Sequence, residues 1–163
     1  MYLAEKNWDE MIGGSEDSMT LGEYLADKEK REISLKEIFE DFGFNDPGMD
    51  FKTGEEPITV TFKSGIEPEI YYAIDVMIDL AGILLECKVN GKIDLSEFLG
   101  MDLDMDDPNI TVTSSAAEEE LMKNVLTDFS EDPMGFSLSE MCEEDEMQEL
   151  SDLCRELLKE LFA

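Results

Sequence analysis

The stretch EPEIYYAIDVMIDLAGILL (Glu67 to Leu85) sets the terms for any fold of this chain. It is apolar almost throughout, while the whole chain carries 42 Asp plus Glu against 12 Lys plus Arg. It must be hidden from water by segments that are themselves heavily charged. Ile70, Tyr72, Ile74, Val76, Ile78 and Leu80 alternate as a strand would, whereas Ile70, Ile74, Met77, Ala81 and Leu84 fall at helical spacing. A strand of that length is unusual, and Pro68 suits a first helical turn. The segment therefore reads as a helix from about Glu67 to Leu85, central in the core.

Other helix starts are written as TLGE from Thr20, SLKE from Ser34, DLSE from Asp94 and SLSE from Ser137. In each, a short polar side chain can accept from an amide of the first turn while Glu returns to the cap amide and suits the positive helix end. They predict helices over 21–32, 35–42, 95–99 and from Leu138 onward, with Gly43 and Gly100 as stops for the second and third. The last, over 138–162, sets Met147, Leu150, Cys154, Leu157, Leu158 and Leu161 on one stripe, an amphipathic helix.

Ile-Thr-Val-Thr occurs twice, at 58–61 and 110–113. Each copy is a strand candidate that follows a short capped helix and an acidic loop and precedes a longer helix, the second over 114–129. The expected architecture is one compact domain over 1–163 of the α+β class, predominantly helical. It would hold two similar helix-loop-strand-helix units, a duplication at 34–86 and 94–129, and the C-terminal amphipathic helix.

No apolar run reaches about 18 residues, and the first residues carry neither a basic start nor an apolar core, so no membrane span or export signal is expected and the cytoplasm is the expected location. Cys87, Cys142 and Cys154 lack metal-type spacing and read as reduced thiols. Histidine is absent, which removes Ser-His and Cys-His catalysis and the usual base near neutral pH. Neither enzymatic activity nor a cofactor is expected.

The formal charge is −30, and Ile93 to Cys154 holds 19 acidic residues against one basic. Thirty charges match roughly 51 Å of duplex at ~1.7 Å per charge, while a compact chain of this length is on the order of 40 Å across. Solubility needs a net charge of only about 2 to 8, so the negative potential itself reads as the product. It repels nucleic acid and anionic membranes and attracts basic proteins. In GMDLDMDDPN, Asp102, Asp104 and Asp106 would face one way in an extended chain, ~6.7 Å apart, with Asp107 beside them. Glu118, Glu119 and Glu120, and then Glu143, Glu144, Asp145 and Glu146, extend the acidic surface. These are the candidate partner-binding residues, accepting charge-assisted hydrogen bonds from Arg and Lys. Each cluster by itself is equally a solvated face.

ECKVNGKIDLSEF is similar to a calcium-binding EF-hand loop over twelve residues, with Glu86, Asn90, Asp94 and Glu97 as the weak candidate ligands and Gly91 at the turn. Lys88 puts a cation at the third ligand position, and a simple turn into the Leu95 helix is favoured over a metal site.

Small, acidic, His-free chains without a catalytic constellation resemble the DNA-mimic proteins that phages and mobile elements use against host defence, of anti-CRISPR or anti-restriction type. The likeness is one of class and composition across the chain. It implies a non-enzymatic inhibitor that plugs the DNA-binding channel of a CRISPR effector nuclease or restriction enzyme, itself binding no nucleic acid. Two other readings stay open. One is an immunity protein or antitoxin that covers a basic nuclease or toxin, with Trp8, Tyr71 or Tyr72 as aromatic anchors; the other is a degenerate EF-hand module.

Overall fold

The computed structural model describes residues 1–53, 56–103 and 105–162. In chain order these form α1 (Tyr2–Glu5), α2 (Glu16–Asp27), β1 (Glu32–Ser34), α3 (Leu35–Phe42), β2 (Ile58–Thr59), β3 (Glu69–Ile70), α4 (Ala73–Asn90), β4 (Ile93–Asp94), α5 (Leu95–Leu99), β5 (Asn109–Thr113), α6 (Ala116–Glu131) and α7 (Glu144–Phe162). Single 3-10 turns lie at Trp8–Glu10, Pro133–Gly135 and Ser137–Glu140. The fold is α+β and predominantly helical, and no described helix is long and apolar enough to cross a membrane.

The apolar segment is α4, and fourteen of its eighteen residues are buried. α1, α2, α6, α7 and the β4–β5 pair pack around it, and the buried apolar side chains form one continuous cluster. Gly82 lets the N-terminal segment approach closely, since a Cβ there would stand 3.1 Å from Ile12 Cδ1. The helix begins later than Glu67 because Glu69–Ile70 is a strand, paired with Ile58–Thr59. Val60 N–H donates to the Pro68 carbonyl at 3.0 Å, which holds Pro68 in this hairpin rather than in a helical turn.

Two of the predicted caps stand. Ser34 accepts from Glu37 N–H (3.2 Å), and Asp94 from Ser96 N–H (2.9 Å) and Glu97 N–H (3.1 Å). The other two do not. Ser15 caps α2 through Ser18 N–H (3.0 Å), leaving Thr20 inside the helix with its hydroxyl on the Glu16 carbonyl. α2 also stops at Asp27, because 32–34 is drawn into the sheet. Ser137 gives its own N–H to the Lys52 carbonyl (2.7 Å), and the turn closes with Met141 N–H on the Leu138 carbonyl (3.0 Å). The final helix therefore starts at Glu144, not Leu138. Its stripe of Met147, Cys154, Leu157 and Leu161 is buried, chiefly against α6 and α4.

The sheet has the order β1-β5-β4, with Ile33 beside Val112 in parallel and Ile93 beside Ile110 antiparallel. The second Ile-Thr-Val-Thr is the centre of this sheet, with Ile110 and Val112 turned inward. The first lies in the separate hairpin, so the two copies do not hold equivalent places. The parts that do correspond are strand-cap-helix pieces, β1 into α3 and β4 into α5, on opposite flanks of β5.

Three carboxylates tie α2 to α4. Asp17 accepts from Tyr71 N–H (3.0 Å) and Tyr72 N–H (2.8 Å), fixing the residues that lead into α4. Asp79, 1% exposed, accepts from Gly13 N–H (3.1 Å) and the Ser18 hydroxyl. Asp75 accepts from the Ser15 hydroxyl. Burial raises all three above the usual carboxylate range: Asp75 is pushed up to about 6, and Asp79, further disfavoured by the charge of Asp75, stands well above its ordinary value. Farther along α4, the buried Glu86 accepts from Tyr2 N–H (3.2 Å) and Leu3 N–H (3.0 Å), satisfying the free amides that open α1.

The native state keeps its Asp75 and Asp79 protons to higher pH than the unfolded chain does. The Asp75 part of this contribution is whole below about pH 4 and is lost as pH rises through about 6. Asp75→Asn should therefore gain on the order of 2 kcal/mol relative to the parent between pH 4 and 7, read from urea unfolding; a difference that stays constant with pH would contradict this. Glu86→Ala should lose on the order of 2 kcal/mol by leaving two amides without an acceptor, and Glu86→Gln about half of that.

Candidate protein-binding surface

The acidic residues that look alike in the sequence meet different neighbours in the fold. The Asp102–Asp107 stretch connects α5 to β5. Asp102 and Asp106 are exposed, and Asp104 lies outside the described residues. Met105 N–H donates to the Leu103 carbonyl (2.9 Å), and Leu103 and Met105 pack on the core. Asp107 accepts from the Asn109 side chain (2.9 Å) and Asn109 N–H (3.0 Å) and lies 3.6 Å from Arg31. The Asn109 contacts, and then the Arg31 charge, hold its carboxyl below the usual range. Asp106 and Asp107 share a cleft with Lys30 and Arg31, so two cations dilute the potential there.

The second cluster is also largely engaged. Glu118 closes a capping box with Ser115, accepting from its N–H (3.3 Å) and hydroxyl (2.8 Å). Glu119 lies 2.9 Å from Lys88 Nζ. Glu120 alone is exposed.

The third cluster differs. Glu143, Glu144, Asp145 and Glu146 are exposed where α7 begins, and no ion pair reaches them among the described residues. The reason is visible in the chain: residues 124–154 contain ten acidic side chains and no basic one. They span the end of α6, the two 3-10 turns and the first half of α7, which is the tip of a helical hairpin. Asp128 and Glu131 occupy the last turn of α6 and Asp132 caps it, against the negative end of that helix's own dipole. The compensation comes from Arg155, which donates to the Ser130 carbonyl at 2.7 Å, beside the Ser151 hydroxyl at 2.8 Å. Among the described residues this tip therefore keeps a dense group of acidic side chains, of which Asp152 alone is ion-paired, with Arg155 (2.8 Å).

The calcium-loop positions fall elsewhere. Glu86 and Asn90 belong to the last turns of α4, where the Asn90 amide donates to Glu86. Gly91, in the left-handed conformation (φ +80°), ends the helix, and Asp94 is spent on capping α5. The twelve residues are thus a helix end and a turn, and Glu97 points outward as an exposed residue of the next helix.

Of the aromatic anchors, Trp8 is buried at 8% exposure, while Tyr71 is 49% exposed and Tyr72 half-buried. The three carboxylates that tie α2 to α4 were missed in the sequence; of these, Asp17 holds the amides of both tyrosines. The signal for the other two, Asp75 and Asp79, is their spacing of one helical turn in the apolar first half of α4.

No curated protein and no solved structure matches the chain. A family model described as Immunity protein 68 matches residues 2–161, nearly the whole length. The chain belongs to the Immunity protein 68 family.

Proposed function

We propose that this chain neutralises a cognate toxin by binding it stoichiometrically, and that the toxin offers a basic surface such as the nucleic-acid face of a nuclease. The observation that carries this reading is the family match over 2–161. The formal charge of −30 adds the sign of the partner. A field of this size speeds encounter with a cationic protein and loses reach as salt shortens the Debye length, about 8 Å at physiological ionic strength. The absence of histidine agrees with inhibition by occlusion rather than by chemistry. Blocking the DNA channel of a CRISPR effector or restriction enzyme uses the same electrostatics, but it has charge alone in its favour, whereas the toxin reading has charge and family together.

The test is capture on the immobilised chain from a lysate of the cells that encode it, at about 150 mM salt and with or without excess duplex DNA. The captured protein is then expressed in a naive host. One basic protein is expected, whose expression stops growth and whose toxicity disappears when this chain is co-expressed. Raising the salt to about 0.5 M should weaken the association at least tenfold, mainly through slower encounter. Capture of a DNA-binding defence enzyme that is harmless to the host and displaced by duplex DNA would replace this reading with DNA mimicry.

A further inference from the structure

Beside the anionic tip lies a surface that none of the charge clusters announces. A cleft of about 410 Å³ is lined by Lys52, Thr53, Tyr72, Met134, Phe136 and Glu140, among others. Past Thr53 it adjoins a second of about 280 Å³, with Asp50, Glu56, Ile70 and Tyr71 in its wall. The walls are held from outside. Asp17 clamps the amides of Tyr71 and Tyr72. The Ser137 amide ties the 3-10 turn to the Lys52 carbonyl. Phe136 packs edge-on against Phe129, with ring centroids 5.1 Å apart.

The large apolar side chains exposed on the described surface are few, and three of them gather at this end: Tyr71 at 49%, Met134 at 49% and Met141 at 69%. Tyrosine is among the residue types that carry binding energy at protein interfaces, and exposed methionine adapts to a partner's shape. The rim is acidic, since Glu140 and Asp50 line the clefts and Glu143 to Glu146 follow directly in the chain. Lys52 already places its ammonium 5.8 Å from the centroid of the Phe136 ring, so an aromatic wall of the cleft holds a cation. Apolar anchors inside an acidic ring are complementary to a basic protein surface that projects a long cationic side chain. An arginine fits best, because its planar guanidinium both stacks on tyrosine and pairs with a carboxylate.

We propose that the double cleft between Tyr71–Tyr72 and the Met134–Glu140 turns is the docking site for the toxin, which inserts an arginine from its basic surface. The proposal rests on the toxin-binding reading above. It assigns the decisive contacts to this end of the molecule rather than to Asp102–Asp107 or Glu118–Glu120, whose charges are shared with Lys30, Arg31 and Lys88.

Two measurements on the full chain test it. Tyr71→Ala combined with Met134→Ser, both at exposed positions, should weaken binding of the captured toxin by roughly 30-fold with unchanged thermal unfolding. Glu118→Gln, Glu119→Gln and Glu120→Gln together should change it by less than about threefold. The reverse ranking would overturn the proposal while leaving toxin binding intact. Independently of any toxin, N-acetyl-arginine amide titrated into the labelled chain should shift the amide resonances of Lys52, Thr53, Tyr71, Tyr72 and 134–140 in a saturable way. Shifts spread evenly over the acidic surface would overturn the cleft as an arginine site even if capture had failed. Site-limited shifts without a captured toxin would leave the cleft standing and count against the toxin reading.

Discussion

The burial of α4 is the constraint on which the rest depends. A helix that is apolar on nearly every side has to be wrapped, and α1, α2, α6, α7 and the β4–β5 pair do so. Yet α4 also carries Asp79 and Glu86 into the interior, at 1% and 2% exposure. A carboxyl group at such a depth needs hydrogen-bond partners to offset its lost hydration. Each meets backbone amides of the N-terminal segment, Gly13 for Asp79 and Tyr2 with Leu3 for Glu86. The two acids thus convert an undirected apolar attraction into a fixed seating of residues 1–13 along the helix.

The same charge that must be managed inside is sorted on the outside. Most of the twelve basic residues stand in ion pairs, as with Lys28 between Glu37 and Asp41, and Lys88 with Glu119. Exposed pairs of this kind add little stability. Their effect here is on the distribution of charge: they offset acids on the β1–α3 flank and at the start of α6, while Glu143 to Glu146 meet no ion pair among the described residues.

Much of the fold was legible because helix caps are local. Ser34 and Asp94 mark their helices through amides two or three residues away. The α7 stripe is equally local. What was not legible came from distant pairing. The start of α4 was displaced because Glu69–Ile70 finds Ile58–Thr59, and the last helix was shortened because the Ser137 amide finds Lys52. The candidate surface follows the same rule. In the sequence, Asp107, Glu119 and Glu144 are equivalent acids; Arg31 reaches the first across 76 positions and Lys88 the second across 31, while no ion pair reaches the third among the described residues. Sequence charge counted the acids and gave all the clusters one role; which of them meet neighbours, as Asp107, Glu118 and Glu119 do, is decided by folding.

The strand order β1-β5-β4 has a consequence for how the molecule is made. The central strand is the last of the three to leave the ribosome, so the sheet is completed by insertion into a waiting slot. Until residues 109–113 arrive, β1 and β4 present bare backbone edges, the kind of surface through which nascent chains join one another. By then, Met1 to Lys92 already carries 21 acidic against 9 basic residues. Like charge on unfinished copies opposes their approach, so the acidity that works against compaction within one chain also works against edge-to-edge pairing between chains.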